Sequence, residues 1–237
     1  MKALRLFWIP LTVALLGYGF YQAIYVAPTE ATMGEIQRIF YYHVPSAMVS
    51  FLFFFASFLA SILYLVFRRQ HPSRALAADA IALATAEVGV VFCTVVLITG
   101  PLWARPVWGI WWTWDARLTT TLVLWLVYVS YLLLRRFAAG PQMQTLAAVL
   151  AIFGYVDVPI VYMSTTWWRT QHPGRVIGGG EGSLAPAMST ALWWNVLAWL
   201  SWGILIVGIR YAVERRKQRV EQHAALRALD NGLEVAP

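Results

Sequence analysis

Residues 103–117 run Trp103-Ala-Arg105-Pro-Val-Trp108-Gly-Ile-Trp111-Trp112-Thr-Trp114-Asp115-Ala-Arg117. Five of these residues are tryptophans, two are arginines and one is an aspartate, and long apolar runs flank the stretch on both sides. One or two tryptophans at such a place would serve as interfacial anchors, because the amphipathic indole sits well at headgroup level. Five so close together exceed what anchoring needs. They suit a large, planar, apolar ligand that also carries acidic groups.

Working outward, apolar runs cover about Phe7–Ala27, Ser46–Phe67, Asp79–Thr99, Leu118–Leu134, Thr145–Thr166 and Pro186–Ile209. Each is close to the roughly 20 residues a helix needs to cross a bilayer core. Of the 237 residues 60% are hydrophobic and 12% charged, with a mean hydropathy of +0.62, which excludes an ordinary soluble domain. The expected fold is all-α, a polytopic integral membrane protein with six transmembrane helices. A membrane domain over residues 1–210 is followed by a basic tail, 211–237. The first run also admits a signal-peptide reading. An uncleaved helix is preferred, since no Ala-x-Ala site closes the run. Pro45 is expected in the first turn of the second helix, where its missing N–H is harmless. Gly100-Pro101 is expected to end the third helix, and Pro159 to kink the fifth and free a carbonyl.

The net charge of +7 raises the possibility of nucleic acid, but the basic residues cap apolar runs, where topology signals belong. With six spans, 13 of the 18 basic residues fall on the side of the termini and 5 (Arg38, Arg105, Arg117, Arg169 and Arg175) on the other. Positive-inside bias then makes both termini cytoplasmic. The partner this charge implies is the lipid bilayer, with the Arg210–Arg227 tail as an interfacial or extended helix, and no nucleic acid is expected. The lone Cys93 permits no internal disulfide and reads as packing. No Cys-x-x-Cys-His and no P-loop occurs, and the outward-facing Gly178–Gly180 run is read as a flexible loop. Glu87 and Asp157 lie inside apolar runs and must face the bundle interior or stay protonated.

The same orientation sorts the histidines. His71 and His223 fall on the cytoplasmic side. His43 and His172 fall outside, with the tryptophan stretch. Imidazole is a standard haem ligand, so these two are candidate axial ligands of a haem iron, the alternative being hydrogen-bonded structural histidines. Zinc fits less well, because two histidines without cysteine fall short of three or four ligands. Arg38, Arg105, Arg117 and Arg169 suit the carboxylates of haem propionates. They equally suit interfacial anchoring, or pairing with Asp115. Asp115 itself is expected to orient the loop by pairing with Arg105 or Arg117.

Trp108-Gly-Ile-Trp-Trp-Thr-Trp-Asp-Ala-Arg-Leu-Thr119 resembles the tryptophan-rich "WWD" signature of haem-handling membrane proteins. The Ala-Arg-Leu-Thr ending resembles the cytochrome c maturation protein C (CcmC, haem exporter C) branch. Tyr42-His43-Val-Pro45, Trp167-Trp168-Arg-Thr-Gln-His172 and Val158-Pro159-Ile160 resemble other segments of that branch, and the likeness spans about Tyr25 to Trp202. The resemblance implies six membrane helices in the bacterial inner membrane and haem b held at the periplasmic face. It implies His43 and His172 as axial ligands of the iron. Trp103, Trp108, Trp111, Trp112, Trp114 and Asp115 would lie around the ring and arginines at its propionates. It also implies delivery of haem to the chaperone CcmE, with CcmD and the ABC transporter CcmAB as further partners, and no catalysis by this chain. The competing expectation is a haem lyase that attaches haem to apocytochrome c. A quinone-reactive haem b subunit is disfavoured, because no histidine sits inside an apolar run.

Overall fold

The computed structural model describes residues 2–138, 140, 142–173 and 184–234, with side chains from Phe7 to Leu229 among them. Arg175 and the Gly178–Gly180 run lie outside the described residues. The described chain is helical: α1 (Lys2–Tyr21, extended by a π turn at Gln22–Val26), a 3₁₀ turn at Glu35–Ile39, α2 (Phe40–Phe67), α3 (Pro72–Trp108), α4 (Ala116–Phe137), α5 (Met143–Tyr155), α6 (Asp157–Trp167) and α7 (Pro186–Glu234). The α5 and α6 helices form one membrane-crossing rod, so there are six helices long and apolar enough to span a bilayer, as the sequence predicts. An even number of spans returns the chain to the side it started from. The ends of α1, α3 and α6 and the starts of α2, α4 and α7 share one end of the bundle.

Pro159 is responsible for the break between α5 and α6. It has no N–H to offer the carbonyl four residues back, Tyr155, and the rod is interrupted at Val156. The expected effect of the proline is seen there as this interruption. Beside it, one carboxylate oxygen of Asp157, Oδ2, is buried without a partner among the described residues.

Three boundaries differ from the sequence expectation. The α2 helix starts before Pro45, at Phe40, so His43 occupies its first turn and not a loop. The Ser46 hydroxyl folds back on the helix and donates to the Tyr42 carbonyl at 2.6 Å. The α3 helix does not stop at Gly100-Pro101 but runs through Pro101 and Pro106 to Trp108. Each proline deletes a single donor, whereas unwinding in hydrocarbon would strand many backbone groups. Gly109 ends the helix at φ 80°, a left-handed cap whose N–H donates to the Arg105 carbonyl at 3.0 Å. The tryptophan stretch is therefore half helix, and only residues 109–115 form the link between α3 and α4. Finally, α7 does not end near Ile209. It continues into the basic tail, so no structural break separates residue 210 from 211.

Charged groups explain that last extension. Arg210 grips Glu87 of α3 through two bonds of 2.5 and 2.6 Å. One turn farther, Glu214 lies 3.6 Å from Arg135 of α4, which also holds Asp79 of α3 at 2.5 and 3.0 Å. Gln218 donates to Asp79 at 3.3 Å and to the Leu76 carbonyl at 3.1 Å. Arg135 and Asp79 are nearly sealed off, at 6% and 5% side-chain exposure. This network clamps α3, α4 and α7 at the end of the bundle away from His43. Above it the core is aromatic: Phe54 stacks on Tyr128 at 3.9 Å, and Phe53 lies against Phe92. Gly203 of α7 is required there, because a Cβ would overlap the Phe53 ring.

Removing one member of a buried ion network strands the others, at a cost of about 3–5 kcal/mol. Arg135→Gln should therefore lower the thermal unfolding midpoint of the detergent-solubilised protein sharply. Arg135→Gln combined with Asp79→Asn should cost less than the two single changes summed. Simple additivity would show that the network does not act as a unit.

Candidate functional site

The His43 end of the bundle gathers residues from four separate segments. His43 faces α3: its Nδ1 lies 2.9 Å from the Thr99 hydroxyl, and a Cβ on Gly100 would come 3.5 Å from its Cε1. The Thr99 hydroxyl itself donates to the Val95 carbonyl at 2.7 Å. A hydroxyl carries one proton. With that proton directed at Val95, Thr99 can only accept from His43, so the proton of the His43 ring sits on Nδ1. The lone pair of Nε2 meets no hydrogen-bond donor among the described residues.

His172 reaches the same state by a different route. Its Nδ1 lies 3.0 Å from the Pro173 carbonyl. A carbonyl only accepts, so again Nδ1 carries the proton, and Nε2, the unprotonated nitrogen, has no hydrogen-bond partner among the described residues. The peptide N–H of His172 donates to the Thr170 hydroxyl at 3.0 Å, and that hydroxyl donates to Asp115 Oδ2 at 2.8 Å. The other oxygen of Asp115 accepts from the Leu118 N–H at 3.0 Å and caps α4. One carboxylate thus fixes both the start of α4 and the His172 segment. Sequence reading expected Asp115 to orient its loop. The bonds recorded for it run to Thr170 and Leu118, whereas Arg105 turns to the Gly109 carbonyl at 2.6 Å.

The charges of His172 and of Arg117 both reach the His43 ring, and those of Arg117 and Asp115 reach His172. The two imidazoles and Arg117 therefore form one electrostatic neighbourhood. Burial holds the His172 imidazole below its ordinary value of 6.5, and Arg117 pushes the same way. The bond to Pro173 and the charge of Asp115 oppose this shift and are outweighed. A neutral imidazole with a bare Nε2 is the form that binds a metal.

The other predicted arginines differ in what they hold. Arg38 donates to the Ala23 and Ala27 carbonyls at 2.7 and 3.2 Å and pairs with Glu35, closing the end of α1. Arg117 donates to the Val161 and Tyr162 carbonyls of α6, at 2.6 and 3.3 Å. Arg169 is exposed, and it lines a cavity of about 520 Å³ together with Thr113, Trp114, Asp115, Thr170 and Gln171.

The tryptophans do not lie in one plane. Trp103 and Trp108, on the last turns of α3, meet edge to face at 5.1 Å, and Trp112 and Trp114 do so at 5.7 Å. Trp111 and Trp114 are the open ones, at 56% and 76% exposure. Two buried polar atoms of this segment, Trp112 Nε1 and Thr113 Oγ1, have no partner among the described residues. Such groups are costly to bury unpaired and mark places where a polar partner from outside would fit. A haem, with a metal for two imidazoles, an apolar ring for indoles and carboxylates for guanidinium and hydroxyl donors, matches this set of groups.

Sequence reading assigned no site role to Thr99, Thr113 or Thr170, nor to the exposed Trp167–Trp168 pair, whose rings meet at 5.7 Å next to Arg169, although the segment from Trp167 to His172 stood out by its resemblance. The threonines give no pattern of their own, since their roles depend on contacts with residues 55 or 56 positions away. The doubled Trp167-Trp168 was a legible signal.

Nitrogen-15 NMR of histidine-labelled protein should show His43 and His172 as Nδ1–H tautomers. Thr99→Val should release His43 into a mixture, and Thr99→Ser should restore the single form. An Nε2–H ring in the unsubstituted protein would contradict the proton assignment. The same spectra should find His172 mostly neutral at pH 6.5. The stability its neutral ring contributes is present above 6.5 and is lost only as pH falls through the lower folded value.

The family profile "CcmC: Heme exporter protein C" matches residues 1–226. "Heme exporter protein C" of Bradyrhizobium diazoefficiens is 40% identical over 175 residues, 73% of this chain and 64% of that protein. The protein of the same name from Escherichia coli K12 is 35% identical over 190 residues, 78% of this chain and 70% of its own length. That of Haemophilus influenzae is 33% identical over 210 residues, covering 88% and 83%. The chain belongs to the haem exporter protein C family of multi-pass membrane proteins.

Proposed function

We propose that this protein holds haem b at the outer face of a bacterial inner membrane, between His43 and His172, and hands it to a periplasmic acceptor during cytochrome c maturation. The observation that carries the proposal is the matched state of the two histidines. They lie at one end of the bundle within electrostatic reach of each other, each with Nδ1 committed to an acceptor and Nε2 without a hydrogen-bond partner among the described residues. The names of the relatives supply the cargo, since they are called heme exporter proteins.

When bound, haem would supply an iron with two axial positions and a ring that indoles can cover. The chain's own residues do the rest. Thr99 and the Pro173 carbonyl hold the ring protons in place, and Asp115, through Thr170, holds the backbone of His172. The bias of basic residues toward the opposite end of the bundle supports cytoplasmic termini and a periplasmic site. The open position of Trp111 and Trp114 favours transfer, because a cargo to be surrendered needs an uncovered edge. The acceptor is the haem chaperone CcmE, with CcmD and CcmAB as companions in the membrane; this part of the proposal rests on the family.

Absorption and low-temperature magnetic spectra of the purified, haem-loaded protein should show a bis-histidine iron. His43→Ala and His172→Ala should each remove it, with transfer to purified CcmE falling at least about tenfold, the scale of losing a metal ligand or its support. Unaltered ligation in both variants would reject the pair. Thioether formation with apocytochrome c in the absence of CcmE would favour attachment over delivery.

A further inference from the structure

We infer that Arg169 and Thr113 form the carboxylate-binding subsite of this face, with Arg169 as the arginine that receives a propionate. The inference rests on the haem reading above and adds to it the identity of the anion-binding groups. Four arginines lie on this side of the described structure, and they differ in what already holds them. Arg38 is tied to the Ala23 and Ala27 carbonyls and to Glu35, so its guanidinium is part of the α1–α2 corner. Arg105 closes its own helix end on Gly109, and Arg117 reaches across to α6 carbonyls. Arg169 alone of the four lines the 520 Å³ cavity.

Thr113 is the second, independent pointer. It lines the same cavity, and its hydroxyl is buried without a partner among the described residues. A hydroxyl donor and a guanidinium on one wall are the two kinds of group that a carboxylate accepts from. The cavity also contains a carboxylate, Asp115, which would repel an anion if it were bare. Both of its oxygens are occupied, by the Leu118 N–H and the Thr170 hydroxyl, and it sits at the positive end of α4. Gln171 completes the wall and precedes His172 directly, which puts the anion subsite beside one proposed iron ligand. Trp114 offers the ring an apolar neighbour on the same wall.

The test uses the full-length protein in detergent and two probes, haem and haem dimethyl ester, in which both propionates are neutral. The unsubstituted protein should bind haem about tenfold more tightly than the ester, the scale of a hydrogen-bonded contact to a charged group. Arg169→Gln should abolish that preference while the bis-histidine spectrum persists, Arg169→Lys should keep part of it, and Thr113→Val should reduce it where Thr113→Ser does not. Arg38→Gln and Arg117→Gln should retain the preference, provided the variant still shows the unsubstituted protein's thermal unfolding midpoint. A full preference for haem over the ester in Arg169→Gln would overturn the assignment, as would its loss in a folded Arg117→Gln protein with Arg169 intact. Absence of bis-histidine ligation in the unsubstituted protein would instead overturn the haem reading itself, so the two failures are distinguishable.

Discussion

The single proton of the Thr99 hydroxyl governs the chemistry of this face. It points along α3 to the Val95 carbonyl, as serine and threonine hydroxyls often do within helices, and so the oxygen is left as an acceptor for His43. That local helix bond fixes which nitrogen of an imidazole on another helix stays bare. It works only because α3 runs on past Gly100-Pro101 and α2 begins early enough to carry His43 in its first turn. If α3 frayed at Gly100 as the sequence suggested, Thr99 would sit in a loose terminal turn and the histidine would lose its support.

The opposite end of the molecule is built differently. There the helices are locked by ion pairs, Arg135 with Asp79 and Glu214 and Arg210 with Glu87, close to where α7 leaves its apolar run. At the His43 end the described charged groups are tied chiefly to backbone carbonyls and amides: Arg38, Arg105 and Asp115 close or cap helix termini, and Arg117 reaches the Val161 and Tyr162 carbonyls within α6. A clamp of ion pairs at one end and capped helix ends at the other suit the proposed reception and release of a bulky ligand at the His43 end.

Much of this was legible from the chain. Six apolar runs, most of them closed by arginines or by a Gly-Pro pair, identified the spans. Alternation across the bilayer then put His43, His172 and the tryptophans together although they are separated by up to 129 positions. The break in the fifth span ahead of Pro159 followed from one missing amide. The boundaries at Gly100, Pro45 and Ile209 were not legible, because helix length in a bilayer depends on whether neighbouring segments satisfy the backbone and the tail charges. Neither was the geometry of the tryptophans, which the fold arranges as edge-to-face pairs. The threonines escaped notice because a threonine acquires a role only from what packs against it.

The most direct test of the central claim is a high-resolution structure of the haem-loaded protein. The account requires both Nε2 atoms on the iron, from opposite faces of the ring, with Nδ1 of His43 still on Thr99 and Nδ1 of His172 still on Pro173. An iron bound through either Nδ1, or a haem seated away from one of the two imidazoles, would contradict it.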